Sequence, residues 1–285
     1  MITIIGGTGT VGRELVALLN RSLHQFRVVT RDRSRAARLV RANVDIIEAD
    51  PSDPDALPRA LSGTTSMFLL MGNHPEQESI ERRLVRTAAD SGVRRIVKLS
   101  GFKPETRTSR SIDRWHAGVE QEIKLSGLDY TLLRPSLFMQ DFLLYAQQIR
   151  AGVLRTSVGE GRVGCVDARD IAAVAAKALT DDTHSRTAFR PTGPQALSFP
   201  EIAKAISCAA GHPVRHEQIS VDQERVELCR LGLPEFLVQY VQTLFAGFET
   251  GLGDEVTNHI EDVTGRRPHS FEDFAADHAS SFSRN

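Results

Sequence analysis

The chain has 285 residues, 41% of them hydrophobic, which suffices for a full core and fits one large domain or one domain with a cap. Its 35 basic and 36 acidic residues are well mixed, so the near-zero net charge gives no general pull toward nucleic acid or an anionic membrane. Cys165, Cys208 and Cys229 are far apart and form no CxxC, which disfavours a disulfide framework or a zinc cluster and fits isolated thiols in a reducing cytosol.

The first residues enter a strand at once, without the basic and apolar regions of a secretory signal, and no apolar run approaches the roughly 18 residues of a membrane span. The expectation is a soluble cytoplasmic protein. Ile2 to Ile5 reads as an apolar strand, followed by Gly6-Gly7-Thr8-Gly9-Thr10-Val11-Gly12 and a helix with Val11, Leu15, Leu18 and Leu19 on its inner side. Glycines at 6, 7, 9 and 12 satisfy GxGxxG and GxxGxxG together. Such a loop makes a tight turn, lets backbone approach a pyrophosphate, and packs a helix close to its strand. The phosphates of a dinucleotide would then meet free N–H groups at the positive end of a helix dipole.

A second strand, Phe26 to Thr30, runs into Arg31-Asp32-Arg33-Ser34-Arg35. An acidic residue at this strand end grips the ribose 2′-hydroxyl of NAD, whereas a cation there suits the 2′-phosphate of NADPH. Thr30 followed by Arg31 therefore favours NADPH, with Arg35 and Arg33 either assisting or lying on a solvated face. Asp32 is the opposing feature, because turned inward it would favour NAD. The third strand, Val44 to Ala49, leads to Asp50, which is placed either to contact adenine or to shape a turn, and to Asp53, which reads better as a turn or capping residue. The apolar run Ser66 to Met71 is a strand buried on both faces, ending near Leu70, Met71 and Gly72, a second approach point for the cofactor. A helix over Gln77 to Ser91 and a fifth strand over Arg95 to Gly101 complete an alternation typical of a doubly wound parallel sheet.

A further helix carries Trp115 and His116 and runs to Leu125. Tyr130 to Pro135 is a sixth strand, and Phe138-Met139-Gln140-Asp141-Phe142-Leu143-Leu144-Tyr145 follows it. Beyond Gly152 the alternation gives way to short irregular elements. The expected organisation is a Rossmann-type nucleotide domain over 1–151 and a smaller substrate-covering lobe over 152–285, from which some segments return to the sheet. In that lobe Ser198 with Glu201, and Ser270 with Asp273, read as capping boxes, the second opening the last helix. His212 and His216 are four apart, but Pro213 breaks the helix that would align them, so a metal site is not expected.

The glycine loop, Val29-Thr30-Arg31, Tyr130-Thr131-Leu132-Leu133-Arg134-Pro135 with Phe138-Met139, Val166-Asp167-Ala168-Arg169-Asp170-Ile171-Ala172 and the tail from Val263 to Phe274 together resemble an atypical short-chain dehydrogenase/reductase of the NmrA-like group. The resemblance covers most of the chain. It implies NADP(H) bound at the carboxyl end of the sheet and the activities of that group: reduction of quinones, cationic aromatic dyes or ethers, or cofactor sensing without turnover. Cofactor-lining residues expected on this basis are Gly6 to Gly12, Arg31, Arg35, Asp50, Leu70, Met71, Gly72, Ser100, Gly101, His116, Pro135 and Phe138. Asp167 and Asp170 resemble carboxylates with a structural task.

One departure matters. The usual Tyr-xxx-Lys pair falls on the helix before the sixth strand, and setting Glu120 against the usual glutamate puts His116 at the lysine and Ile112 at the tyrosine. Without a phenol to serve a nascent alkoxide, an alcohol or ketone reductase is disfavoured. Hydride addition to a conjugated acceptor, such as a quinone, an enone or a delocalised cation, needs less help. Trp115, Phe138, Met139, Phe142, Tyr145, Phe245 and Phe248 would suit a flat aromatic substrate, or else form core. His116, as imidazolium or as a neutral donor, is the first candidate for chemistry, with a structural histidine as the other reading. Ser100 either bonds substrate or nicotinamide or caps its strand. The expectation is an NADPH-dependent reductase of a small aromatic or quinone-like molecule, with no nucleic-acid or membrane partner and a homodimer left open. A sensor without turnover, or a dehydratase, isomerase or cyclase on the same fold, remains the alternative.

Overall fold

In the computed structural model the described residues are 1–41, 44–105 and 107–284. Apolar four- and five-residue runs punctuated by glycine and helix-forming segments produce alternating strands and helices: β1 (Ile2–Ile5), α1 (Thr10–Asn20), β2 (Phe26–Thr30), α2 (Arg33–Ala37), β3 (Asp45–Glu48), α3 (Leu57–Leu61), β4 (Ser66–Leu69), α4 (Gln77–Asp90), β5 (Arg95–Leu99), α5 (Ser111–Leu125) and β6 (Asp129–Leu133). A 3-10 helix, Met139–Tyr145, precedes α6 (Ala146–Arg150), β7 (Val153–Thr156), β8 (Arg162–Val163), α7 (Ala168–Thr180) and β9 (Thr187–Phe189). Then come β10 (Leu197–Ser198), α8 (Phe199–Ala210), β11 (Arg215–Gln218), α9 (Val221–Arg230), α10 (Glu235–Glu249), α11 (His259–Thr264), α12 (Phe271–Asp277) and α13 (Ala279–Phe282).

Contacts divide the chain into two compact units. The first holds Met1–Thr108, Ile112–Pro135 and Ile171–Arg190; the second holds Ser109–Ser111, Ser136–Asp170 and Pro191–Asn285. Residues 136–151, expected with the nucleotide domain, thus belong to the second unit, and 171–190 return to the first. The first unit is built on a seven-stranded sheet in the order β3-β2-β1-β4-β5-β6-β9 with every pairing parallel. The order reverses at β1, which lies between β2 and β4. A doubly wound sheet binds its ligand at the carboxyl ends beside such a reversal. Ile5 pairs with Val29 on one side and with Leu69 on the other, so Gly6 leaves β1 at that point. Helices α3, α4 and α5 cover one face through Leu57, Leu61, Leu84, Val85, Val119 and Ile123, buried against Met67, Leu69 and Ile96.

The second unit has no large sheet. β7 pairs with β11 in parallel and β8 with β10 antiparallel, and its core is a string of aromatic rings supplied largely by helices. Capping boxes open α8 at Ser198–Glu201 and α12 at Ser270–Asp273. A third opens α9 at Ser220–Gln223 and was not anticipated, and α12 is followed by α13 rather than ending the chain. No helix among the described residues is long and apolar enough to cross a membrane.

Candidate nucleotide site and its surroundings

The glycine loop is held by contacts that only glycine permits. Gly6 has φ +87°, and a Cβ there would lie 2.2 Å from the Leu70 carbonyl oxygen, so the loop rests directly on the end of β4. A Cβ on Gly12 would lie 2.1 Å from the Gly6 carbonyl oxygen, which fixes how tightly α1 sits on its own loop. Gly9 is the N-cap of α1 and donates its N–H to Gly6 over 3.1 Å. No side chain caps this helix and its first turn holds no acid, while Gly9 and Thr10 are exposed and Val11 and Gly12 are buried. An uncapped helix start behind a glycine turn fits a phosphate, whose charge would meet the first-turn N–H groups and the positive end of the dipole.

At the end of β2 the ambiguity over Asp32 is removed. Asp32 is the N-cap of α2, and its Oδ1 accepts from Ser34 N at 2.9 Å, Ser34 Oγ at 2.6 Å and Arg35 N at 3.2 Å. These bonds, led by the Ser34 hydroxyl, hold its carboxyl below the usual range. The carboxylate is therefore committed to the helix start, leaving Arg31 and Arg35 exposed at the strand end. Arg33, by contrast, donates to the Ile46 carbonyl at 2.7 Å and so ties α2 to β3. Asp50 shapes a turn by accepting from Ser52 N at 2.8 Å, and the charge of Arg31 helps to lower its pKa. Asp53 makes a similar turn bond to Asp55 N at 3.0 Å. A recess of about 540 Å³ borders Arg27, Arg33, Asp45 and Glu48 at the edge of β3, and no glycine-loop residue lines it.

Beyond the ends of β4 and β5 lies a polar network that the sequence reading missed. Lys98 and Glu81, both fully buried, pair at 2.9 Å. Lys98 also donates to the Leu99 carbonyl, and Glu81 accepts from the Met71 backbone N–H and from Gln77 Nε2. Burial raises the Glu81 pKa and Lys98 opposes that rise. The pair thereby joins α4, β5 and the segment after β4. A lysine between Ile96-Val97 and Leu99, in the strand Arg95–Leu99, is the signal that would have found it.

His116 is 6% exposed and its ring packs under Gly101, whose Cβ would lie 2.9 Å from Cδ2. Burial first, and then the positive charge of Lys98, hold its pKa well below the ordinary value. Both causes disfavour the imidazolium considered from sequence and favour the neutral ring. Among the described residues its buried Nδ1 has no hydrogen-bond partner, a costly state that a ligand group would relieve. Ser100 is also altered as a candidate: its hydroxyl donates to Glu120 Oε1 at 2.7 Å, so toward a ligand it can only accept. Glu120 is clamped in turn by Arg134, whose Nε donates to Oε1 at 2.9 Å and whose Nη2 donates to Oε2. Leu70 and Met71 are half-buried, Gly72 is exposed with nothing within 4 Å of a Cβ, and Ile112 is buried. Trp115 is half-buried on α5.

In the second unit the aromatic candidates pack on one another. Met139, Phe142, Phe245 and Phe248 are at most 5% exposed, and Phe142 meets Phe271 edge to face at 5.2 Å and Phe199 at 5.9 Å. Phe199 continues the chain of rings to Phe245 and Phe245 to Phe248. These side chains form the core of this unit. Phe138 is half-buried, and its segment is stitched to 165–168 by Met139 N to Val166 O and Val166 N to Leu137 O, both 2.9 Å. Asp167 accepts from Gln140 and Arg169, and Asp170 accepts from His269 through Nδ1 and the backbone N–H. Tyr145 is buried, and its phenol is pushed up by desolvation and by Glu224 and Asp141.

A doubly wound parallel sheet with an uncapped glycine-loop helix at its reversal point defines a nucleotide-binding α/β protein. The NmrA-like family profile matches residues 1–274, and the chain belongs to that family. It is 38% identical over 283 residues to an NAD(P)H azoreductase of Xenophilus azovorans, covering 99% of both chains. It is 34% identical over 284 residues to a (4-alkanoyl-5-oxo-2,5-dihydrofuran-3-yl)methyl phosphate reductase of Streptomyces griseus, again covering 99% of both. In fold it matches an Escherichia coli NADPH-dependent quinone oxidoreductase complexed with NADPH, with TM-score 0.88 at 22% identity over 97% of this chain and 99% of that one.

Proposed function

We propose that the protein is an NADPH-dependent reductase of conjugated aromatic, azo or quinone-like acceptors. The observation that carries the cofactor choice is Asp32: its carboxylate serves the start of α2, so the strand end presents Arg31 and Arg35 to a 2′-phosphate rather than an acid to a 2′-hydroxyl. The azoreductase at 38% identity over nearly the whole chain supports the reaction class. When bound, the reduced nicotinamide supplies a hydride.

In this reading Gly9 to Gly12 hold the pyrophosphate at the start of α1. Arg31 and Arg35 select the phosphorylated ribose, and Leu70 to Gly72 border the cofactor beyond β4. His116, kept neutral, offers Nδ1 to a cofactor hydroxyl or amide, and Ser100 offers an acceptor lone pair beside Gly101. No phenol and lysine pair serves an alkoxide, which directs the site to acceptors that spread the incoming negative charge. Pro135 borders the site after β6, and Trp115 contributes a flat face for the acceptor.

The test is NADPH oxidation with a panel of quinones, azo compounds and cationic triarylmethane dyes. Consumption of NADPH with at least one acceptor, faster than with NADH at equal low concentration, is the expected result. Tight NADPH binding with no consumption by any acceptor would instead make the protein a cofactor sensor.

A further inference from the structure

A serine hydroxyl can give a proton to a ligand or take one, and Ser100 has lost the first option. Its oxygen lies 2.7 Å from Glu120 Oε1, and both residues are buried. That carboxylate is paired with Arg134, whose Nε donates to Oε1 at 2.9 Å and whose Nη2 donates to Oε2, and Lys124 Nζ stands 3.7 Å from Oε2. A carboxylate only accepts, so the proton between the two oxygens comes from Ser100, and lone pairs are all the hydroxyl has left for a ligand. The Ser100 N–H donates to the Leu133 carbonyl at 2.7 Å, which fixes the backbone at the ends of β5 and β6.

A doubly wound sheet divides a dinucleotide between its two halves. Arg31 follows β2 on one side of the reversal at β1; on the other side Ser100 follows β5 and Arg134 follows β6. The half of the cofactor away from the 2′-phosphate, the nicotinamide riboside, therefore falls to the side of Ser100. A second observation on that side points to a ligand. His116, one turn before Glu120 on α5, is 6% exposed, and among the described residues its Nδ1 has no partner. Gly101 lets α5 come this close, since a Cβ there would stand 2.9 Å from both Asp113 Oδ1 and His116 Cδ2.

We propose that Glu120 and Arg134 are positioning residues that make Ser100 an obligate hydrogen-bond acceptor for the amide NH2 of the nicotinamide carboxamide. The inference rests on the NADPH reading. Ribose hydroxyls can give or take a proton and gain nothing from a partner that only accepts, whereas a carboxamide has a donor end and an acceptor end of nearly the same size. Only the NH2 end meets a lone pair favourably, so the carboxamide settles in one of its two rotational states. A quinone oxygen or an azo nitrogen needs a donor and gains nothing from Ser100. The serine thus serves the cofactor and leaves the acceptor to the rest of the pocket.

The test compares NADP⁺ with 3-acetylpyridine adenine dinucleotide phosphate in titration calorimetry. The analogue carries a methyl group in place of the amide NH2 and keeps the carbonyl. The unchanged protein should prefer NADP⁺ by at least about fivefold, the scale of one hydrogen bond. Ser100→Ala leaves both Arg134 bonds to Glu120 in place and should fold. It should weaken NADP⁺ by about fivefold and leave the analogue within about twofold of its former affinity. Glu120→Leu with Arg134→Met removes both charges together and frees the hydroxyl to donate to the acetyl oxygen, so the analogue should gain affinity and the preference narrow to within about twofold. A structural defect shifts both ligands alike, whereas the ratio reports the contact. Equal affinities in the unchanged protein, a preference that survives Ser100→Ala, or equal losses of the two ligands in that variant would each overturn the assignment. Full preference in the double variant would overturn the part of Glu120 and Arg134. Binding of neither ligand by the unchanged protein would remove the cofactor reading itself. The expected ratios without turnover of any acceptor would uphold the assignment and remove the reductase reading alone.

Discussion

Lys98 Nζ and Glu81 Oε1 stand 2.9 Å apart with neither side chain exposed, and the pair holds three segments that end at the nucleotide side of the sheet. Glu81 takes the Met71 N–H, Lys98 takes the Leu99 carbonyl, and the Lys98 charge adds to burial in lowering the His116 pKa. Removing one partner leaves a bare charge in a dry core. Lys98→Met should therefore cost about 3–5 kcal/mol in urea unfolding, and the double change Lys98→Met, Glu81→Leu should recover most of that loss. In the double variant the His116 pKa should rise, read by imidazole NMR.

His116 also shapes the acid limb of stability. Its native pKa lies well below the usual value, so below about pH 6.5 the unfolded chain binds a proton that the folded protein refuses. Stability contributed by the neutral ring is present above that pH and is lost as pH falls toward the native pKa. His116→Gln should flatten this part of a melting-temperature profile between pH 7 and 5. An unchanged slope would show that other groups set it.

Cofactor selection turns on the end of β2. Arg31→Glu should weaken NADPH by about 10- to 100-fold, the value of one or two charge-assisted bonds, and weaken NADH far less. Asp32→Ala should cost about 1 kcal/mol of stability through loss of the α2 cap while preserving the preference for NADPH. Equal loss of both cofactors in Arg31→Glu would remove the 2′-phosphate assignment.

Two glycines separate packing from ligand contact. A Cβ on Gly12 meets the Gly6 carbonyl at 2.1 Å, so Gly12→Ala must shift the loop and should lower both stability and cofactor affinity. A Cβ on Gly72 meets no protein atom within 4 Å. Gly72→Ala should therefore leave the melting temperature nearly unchanged, and a loss of NADPH affinity in calorimetry would report contact with the cofactor itself. Full affinity would take Gly72 out of the cofactor site.

The parallel sheet is readable from sequence because its strands are apolar runs bounded by glycine and helix signals, and the ends differ by only one or two residues at β3, β4 and β5. One element escapes that logic: β9 has only three residues, Thr187–Phe189, and exists because β6 offers it an open edge. The glycine loop and Arg31 were legible because their spacing carries the chemistry. Lys98 and Glu81 were not, because a charged residue reads as surface until its partner is known. Hydrophobicity likewise marks Phe142, Phe245 and Phe248 as inward without separating core from pocket wall, and the ring contacts place them in the core.

The account stands or falls on direct hydride transfer to the acceptor. The measurement is single turnover with each of the two C4-deuterated epimers of NADPH and a cationic triarylmethane dye, followed by mass analysis of the colourless product. Its new C–H bond does not exchange with water. The account predicts one deuterium in the product from one epimer and none from the other. Bleaching that leaves no deuterium in the product with either epimer would contradict it.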